Sequence, residues 1–481
     1  MTEIGHGSNV RQIETTAIYN HDTQTFTLHS PSWNAGKTYI GNAARDGEMA
    51  TVFAQLKIKG MWKGVHAFLV PIRTPEKDLK RGVFIEDNGQ KIGLNGVDNG
   101  MIWFDHVTLP KDALLDRFAS IDEYGEWSSP IDGDAKRFFT MLGTLVGGRI
   151  SIAGTSVKAT QKALTISTLY AHRRRQFGRD GESESLIIDY PTHQKRIGEG
   201  LATTIALSIA IQNLAETNAR GSASRDIETR AAALKAYSTW ESMRIVQNCR
   251  EACGGEGYMW KNQIGSIKAD MDIFTTFEGD NTVLMQLACK GLLKKLAARF
   301  QSGELSISKV VLNELRGQLR KITVPGQRTN WHNLTTIGDL LLARENDLTL
   351  TLAQEMRKQK KQGLDNHDIM LDHQIDMIEV STAYAERLTY QSMVGRYIEL
   401  KDSRTDQETL TLWKTLTISF GLERILRNPQ WFYNENHLNK ETQKSASITL
   451  KTTYQKIAEN STDIVNAFGI PENAMTAPIA K

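Results

Sequence analysis

The chain has 481 residues, 40% of them hydrophobic and 23% charged, with a formal net charge of +3. That length accommodates roughly two to four domains with separate cores, and the near-balance of charge gives no electrostatic case for a nucleic-acid or membrane partner. Its three cysteines, Cys249, Cys253 and Cys289, predict a reducing compartment without structural disulfides, and one C-x3-C pair alone makes no zinc site.

Residues 1 to about 115 read as β. "TFTLH" (Thr25 to His29) alternates polar and apolar residues, while "TVFAQLKI" and "GVHAFLVPI" are strand-like runs bounded by Gly, Lys and Pro. "EDNGQKIGLNGVDNG" is dense in turn chemistry, and "MIWFDHVTLP" predicts one further strand closed by Pro110. From about residue 138 the period changes. Val146, Ile150, Ala153, Val157 and Leu164 mark one face of a long helix, and further helices are expected over roughly 190–218, 226–250 and 281–300. No proline interrupts the chain between Pro191 and Pro325, which suits a helical bundle. More helices follow, with breaks expected at "TVPGQRTN", "KKQGLDNHD" and "RNPQWFYNEN". Strands followed by runs of helices predict segregated layers, not a doubly wound α/β fold.

Familiar catalytic signatures are missing. "NAGKT" (Asn34 to Thr38) has Pro31 where a phosphate loop needs its first glycine, and no G-x-G-x-x-G, G-x-S-x-G or H-E-x-x-H occurs. Four other stretches stand out. "TEIGHGSN" (Thr2 to Asn9) is either a surface turn or a close backbone approach to a planar ligand. "RRRQFGRD" (Arg173 to Asp180) is either a basic helix end or a phosphate-binding cluster. "ACGGEGY" (Ala252 to Tyr258) is a C-cap or a cofactor contact. In "TTFEGDNTV" (Thr275 to Val283), Asp280, Asn281 or Thr282 can cap the helix that follows, and Glu278 is either a solvated neighbour or a general base beside a helix N-terminus.

Together these stretches closely resemble the acyl-CoA oxidase branch of the acyl-CoA dehydrogenase superfamily. "GVDNGMIWFDHVTLP", "GRISIAG", "YPTHQ", "DIFTTFEGDNTVL" and "NAFGIPENAMTAPIA" extend the likeness from the first residues to the last. The resemblance implies an α+β, mostly helical protein in three domains: a β-barrel-like or β-sandwich domain over 1–115, a four-helix flavin-binding bundle over 135–300, and a C-terminal helical domain over 301–481. It implies FAD as cofactor, a fatty acyl-CoA substrate and a homodimer with FAD at the subunit interface. Glu278 falls at the catalytic base. Thr2 and Gly41 match flavin contacts of the β-domain. Arg174, Gln176 and Phe177 match the segment reaching the partner's FAD. Gly254 and Gly255 match the glycine pair beside the adenosine, and Asp280 and Thr282 offer hydrogen bonds to the cofactor. No metal is implied.

The implied reaction is oxidation of the acyl thioester to a trans-2-enoyl-CoA with O2 as acceptor, giving H2O2. Glu278 would take the α-proton, its pKa raised by burial beside Phe277, and the base's own N–H would help hold the thioester oxygen. The alternatives are a dehydrogenase passing electrons to an electron-transfer flavoprotein, or an inactive truncated relative. Family members carry a helical domain of roughly a hundred residues ahead of this point; a chain lacking it is expected to bind FAD poorly and to turn over slowly. A DNA-binding tail is disfavoured because residues 301–481 hold 22 Lys+Arg against 22 Asp+Glu. With no membrane-spanning run, no signal peptide and no S-K-L type ending, the expected location is a bacterial cytoplasm rather than a peroxisome.

Overall fold

Strand alternation builds the first part of the molecule. Five strands lie in the order β5 (Met61–Pro71), β4 (Met49–Ile58), β1 (Thr16–Asn20), β2 (Thr25–His29) and β8 (Val107–Pro110), with β1 and β4 parallel and the other pairs antiparallel. A second sheet orders β3 (Lys37–Gly41), β7 (Asn99–Phe104) and β6 (Val83–Asp87), and β9 (Ser120–Ile121) pairs with β10 (Trp127–Ser128). Lys59 and Gly60, both at positive φ, close the β4–β5 hairpin between paired Ile58 and Met61, as a two-residue primed turn requires. Phe26, Leu28, Leu56 and Phe68 of the larger sheet share one core with Ile102 and Phe104 of the smaller. The sheets are therefore open and sandwich-like. The barrel half of the expectation is corrected, because closure needs the edge strands β5 and β8 to pair and they do not.

The computed structural model describes residues 1–221, 225–301 and 329–481, and the chain divides into two compact units, Met1–Leu145 and Val146–Lys481. The predicted strand "MIWFDHVTLP" is two strands in different sheets. His106 takes φ +52° at the break, and Asp105 N–H donates to Gly82 O at 2.7 Å, so the run folds back at Asp105–His106. A short helix, α1 (Asp134–Met141), completes this unit by packing Phe138 with Ile13 and Val65.

The second unit is helical: α2 (Leu145–Ala171), α3 (Pro191–Ala219), α4 (Arg225–Ala252), α5 (Ile264–Asp272), α6 (Asn281–Gln301), α7 (Leu334–Lys361), α8 (Asn366–Asp372), α9 (Gln374–Asp402), α10 (Gln407–Arg427), α11 (Pro429–Asn434), α12 (Lys440–Glu459) and α13 (Ser461–Asn466). The expected break at "KKQGLDNHD" is the α7–α8 turn. "RNPQWFYNEN" instead contains α11, with Pro429 in the first turn, where its missing N–H costs nothing. Most of "TVPGQRTN" (323–328) lies outside the described residues. One apolar cluster runs across the expected domain boundary at 300. Val146, Leu207, Leu234 and Met285 of α2, α3, α4 and α6 share a cluster with Leu352 of α7 and Met377 and Val380 of α9. Charge completes the join. Arg424 of α10, wholly buried, donates to Tyr237 Oη (2.8 Å) and Glu241 Oε2 (3.0 Å), and Arg427 reaches Glu241 and Glu199 at 2.7 and 2.6 Å.

In the β unit the "NAGKT" lysine has a structural use. Lys37 Nζ lies 2.7 Å from Glu3 Oε1 and 2.7 Å from Phe53 O, and Glu3 also accepts from Glu14 N, Thr15 N and Thr15 Oγ1. Burial opposes the charge on Glu3, but the Lys37 ammonium and these hydrogen bonds outweigh it and hold the carboxyl below its usual range. That contribution is present above the ordinary carboxylate range and is lost as pH falls through the depressed value. Glu3→Gln or Lys37→Met alone leaves one buried partner unpaired and is expected to cost about 3–5 kcal/mol, the double variant less. Urea titration with hydrogen exchange read on peptides from residues 1–145 checks both.

Candidate functional site

After α5 the chain makes a single 3-10 turn, Ile273–Thr275, and then reverses direction. Glu278 adopts φ +55° and Gly279 φ +105°. A glutamate in that region is held at a cost of about 1 kcal/mol or more, so its surroundings must impose it. Asp280 answers the capping question. Its Oδ1 accepts from Thr282 N at 2.9 Å and Val283 N at 3.2 Å, capping α6. Glu278 caps nothing. Its Oε2 is buried and has no hydrogen-bond partner among the described residues. Phe277, beside it, stacks on Phe274 with ring centroids 5.3 Å apart.

Two helices, α2 and α4, meet this turn. The carboxylate lies against α2, where a Cβ built on Gly148 would stand 2.7 Å from Glu278 Oε2. The next residue, Arg149, donates from Nε to Glu278 O at 3.3 Å. From α4, the wholly buried Lys235 donates to Gly279 O at 2.7 Å and to Asn281 Oδ1 at 3.1 Å. Asn281 is fixed in turn through its amide to Ala236 O and Thr239 Oγ1. Burial pushes the Lys235 ammonium down to about 8, against the opposing pull of Asp280. Burial likewise lowers the Arg149 guanidinium, with Glu228 and Glu278 acting the other way. The backbone N–H groups of Glu278, Gly279 and Asp280 find no acceptor among the described residues. Sequence reasoning missed Lys235, and it quoted Gly148 and Arg149 within "GRISIAG" without giving either a role in the site. The available signal for Lys235 was a lone lysine within the Ala- and Leu-rich run "AAALKAY".

The other predicted residues are placed as follows. Gly254 takes φ +55° at the end of α4, and a Cβ on Gly254 or Gly255 would meet no atom of the chain within 4 Å. Gly257 differs, since its Cβ would meet Arg250 O at 2.0 Å; the chain itself demands that glycine. Arg174, Gln176 and Phe177 sit in the segment after α2. It folds back on itself through Gln176 N–H to Ser185 O, Ser185 N–H to Phe177 O and Tyr190 Oη to Gln176 O. Phe177 has φ +55° and is 77% exposed. Thr282 is exposed at the start of α6. Thr2 and Gly41 belong to the β unit, where Thr2 O accepts from Thr38 N of β3 and Gly41 ends that strand with open space beside it. In the same unit His29, Asp105 and His106 offer metal-ligand chemistry. The two imidazoles stack 4.0 Å apart at 28°, and Asp105 Oδ1 lies 2.6 Å from His106 Nδ1, while His29 Nδ1 has no hydrogen-bond partner among the described residues.

Comparison with known proteins covers both units. Residues 1–107 match the acyl-CoA dehydrogenase middle domain, 142–293 the acyl-CoA oxidase C-alpha1 domain and 333–481 the acyl-CoA oxidase domain. An acyl-coenzyme A oxidase-like protein of Mus musculus is 33% identical over 99% of this chain and 76% of its own length. Acyl-coenzyme A oxidase 2, peroxisomal, of Arabidopsis thaliana is 33% identical over the whole chain and 71% of its own length.

The chain belongs to the acyl-CoA oxidase family.

The crystal structure of acyl-CoA oxidase 1 from Yarrowia lipolytica superposes with a TM-score of 0.91 at 27% identity, covering all of this chain and 72% of that one. These relatives overturn the expected bacterial cytoplasm. They are eukaryotic oxidases, and those of Arabidopsis thaliana and Homo sapiens are named peroxisomal. The expectation rested on the absence of one C-terminal address, and an absent motif does not specify a location.

Asp280→Ala is expected to remove the α6 cap at a cost of about 1 kcal/mol. Thermal unfolding followed by circular dichroism, compared with the exposed-site control Lys290→Ala, measures it.

Proposed function

We propose that this oxidoreductase of the acyl-CoA oxidase type uses Glu278 as the general base on a fatty acyl-CoA. The observation that carries the reading is Glu278 Oε2, a buried carboxylate oxygen without a hydrogen-bond partner. A carboxylate committed to structure would be paired; this one is kept free to accept a proton. The α C–H of the thioester gives its proton to Oε2 while the C–H bond electrons move toward the thioester oxygen. The uncommitted N–H groups at the turn, at the start of α6, are suited to that developing charge. When bound, FAD supplies the acceptor for the β-hydride and the route for two electrons to O2. The balance is then acyl-CoA plus O2 to trans-2-enoyl-CoA plus H2O2.

The residues present fit FAD. Solved Caenorhabditis elegans relatives of the same fold hold it. Gly254 and Gly255 leave room at the end of α4 that the chain does not itself require, and Thr2, Gly41, Asp280 and Thr282 remain the proposed contacts. Phe177, Tyr258 and Trp260, 77%, 80% and 68% exposed, support a homodimer in which Arg174, Gln176 and Phe177 reach the partner's cofactor.

The first test is the visible spectrum of the flavin-reconstituted chain on adding palmitoyl-CoA without oxygen. Bleaching, followed by peroxide on admitting air, is the expected result. Bleaching that only an electron-transfer flavoprotein reverses favours the dehydrogenase alternative, and an unchanged flavin spectrum favours an inactive relative. Glu278→Gln is expected to retain FAD and slow bleaching by about 10²–10⁴-fold. Gly148→Ala pushes the carboxylate from its seat and is expected to lower turnover by about 10²-fold with FAD affinity intact; stopped-flow reduction and FAD titration separate the two quantities.

A further inference from the structure

Among the described residues of the helical unit, the buried lysine and arginine side chains are Arg149, Lys235, Arg344 and Arg424. Arg344 is paired with Glu386 at 2.8 Å and Arg424 with Glu241 at 3.0 Å. Arg149 and Lys235 form no ion pair among the described residues. Burying a cation without a carboxylate at ion-pair distance is expensive; Asp280, Glu278 and Glu228 act on these two only from farther off, and both donate to consecutive backbone carbonyls, Glu278 O and Gly279 O. Those carbonyls belong to the residues at φ +55° and +105°.

Resting on the function proposed above, we propose that Lys235, with Arg149, is a positioning group for that reaction: it clamps the carbonyl side of the Glu278–Gly279 turn, so that the carboxylate and the turn's N–H groups stay directed to the substrate. Lys235 makes no claim on the proton itself. Its contacts are a carbonyl and Asn281 Oδ1, and Asn281 extends the same restraint to Thr239 one turn along α4. The lowered ammonium fits a group that carries its charge in an unfavourable place for the sake of these contacts.

The test uses Lys235→Met, which keeps the length of the side chain and removes the donors. In the flavin-free chain, hydrogen exchange of the peptide covering 274–284 is expected to rise at least tenfold, while peptides from α9 and α12 are unchanged. In the reconstituted enzyme, kcat per bound flavin is expected to fall about 10²-fold with KM within twofold, the mark of lost positioning and not of lost binding. If Lys235→Met does not fold, Arg149→Gln carries the same two readouts, with about a tenfold fall in kcat expected and restoration by Arg149→Lys. Unchanged kcat per flavin overturns the proposal, as does faster exchange spread evenly over the whole helical unit. The exchange measurement needs no turnover, so a wild-type chain that fails to oxidise acyl-CoA refutes the proposed function without deciding the clamp.

Discussion

Two carbonyl oxygens facing two buried cations set the conditions for the rest of the helical unit. A peptide carbonyl is a weak partner for a desolvated ammonium, and the arrangement persists only if the helices that carry the cations are held at a fixed distance from the turn. α4 and α6 meet that requirement by close approach. A Cβ on Gly291 of α6 would stand 2.1 Å from Thr229 Oγ1 of α4, so glycine is what lets the two axes come together there. Leu284, Met285 and Ala288 on α6 then pack with Ala231, Leu234 and Ala236 on α4. Lys235 lies among the α4 residues that make this contact, and its Nζ reaches the turn only because the contact is tight.

The C-terminal helices contribute to the same constraint from behind. α7 and α9 share a core with α4 and α6, and Arg424 and Arg427 tie α10 to Glu241 on α4 and Glu199 on α3. A buried pair of this kind adds little net stability over well-packed apolar residues. Its value is register. A rotation of α4 that released Lys235 from Gly279 would also pull Glu241 from two arginines, so the network and the clamp resist the same motion. Ser381 of α9 adds a direct bond to Met285 O on α6 at 2.7 Å.

What could be read in advance follows from which physical signals are local. The helices α3, α4 and α6 announce themselves by period, length and freedom from proline, and they begin and end within a few residues of expectation. β4 and β5 were legible as apolar, strand-like runs bounded by Gly, Lys and Pro. "MIWFDHVTLP" misled because no glycine or asparagine marks the break at Asp105–His106. The break at His106 is a backbone choice stabilised by Gly82, far away in sequence. Closure of the sheets was illegible for the same reason, being a property of edges that no single strand encodes. The Glu278 stretch posed a real ambiguity; the structure gives Asp280 the cap and leaves Glu278 Oε2 without a hydrogen-bond partner among the described residues. Lys235 escaped notice, and Arg149 was given no role, because a buried cation in an amphipathic run looks like a solvated one until its partners are known.

The turn also divides its polar groups by side. Arg149 and Lys235 take the carbonyls of Glu278 and Gly279, and the N–H groups of the peptides that follow, on Gly279 and Asp280, remain without an acceptor among the described residues. A cation on a carbonyl draws electron density along the peptide and makes the N–H of the same unit a stronger donor. Each clamp bond therefore does two things at once. It fixes a left-handed backbone that glutamate would not choose, and it strengthens the donors presented at the N-terminus of α6, where an anion is already favoured. A neutral clamp such as glutamine could supply the first effect with little of the second. That difference accounts for the use of two charged groups where the burial cost argues against them.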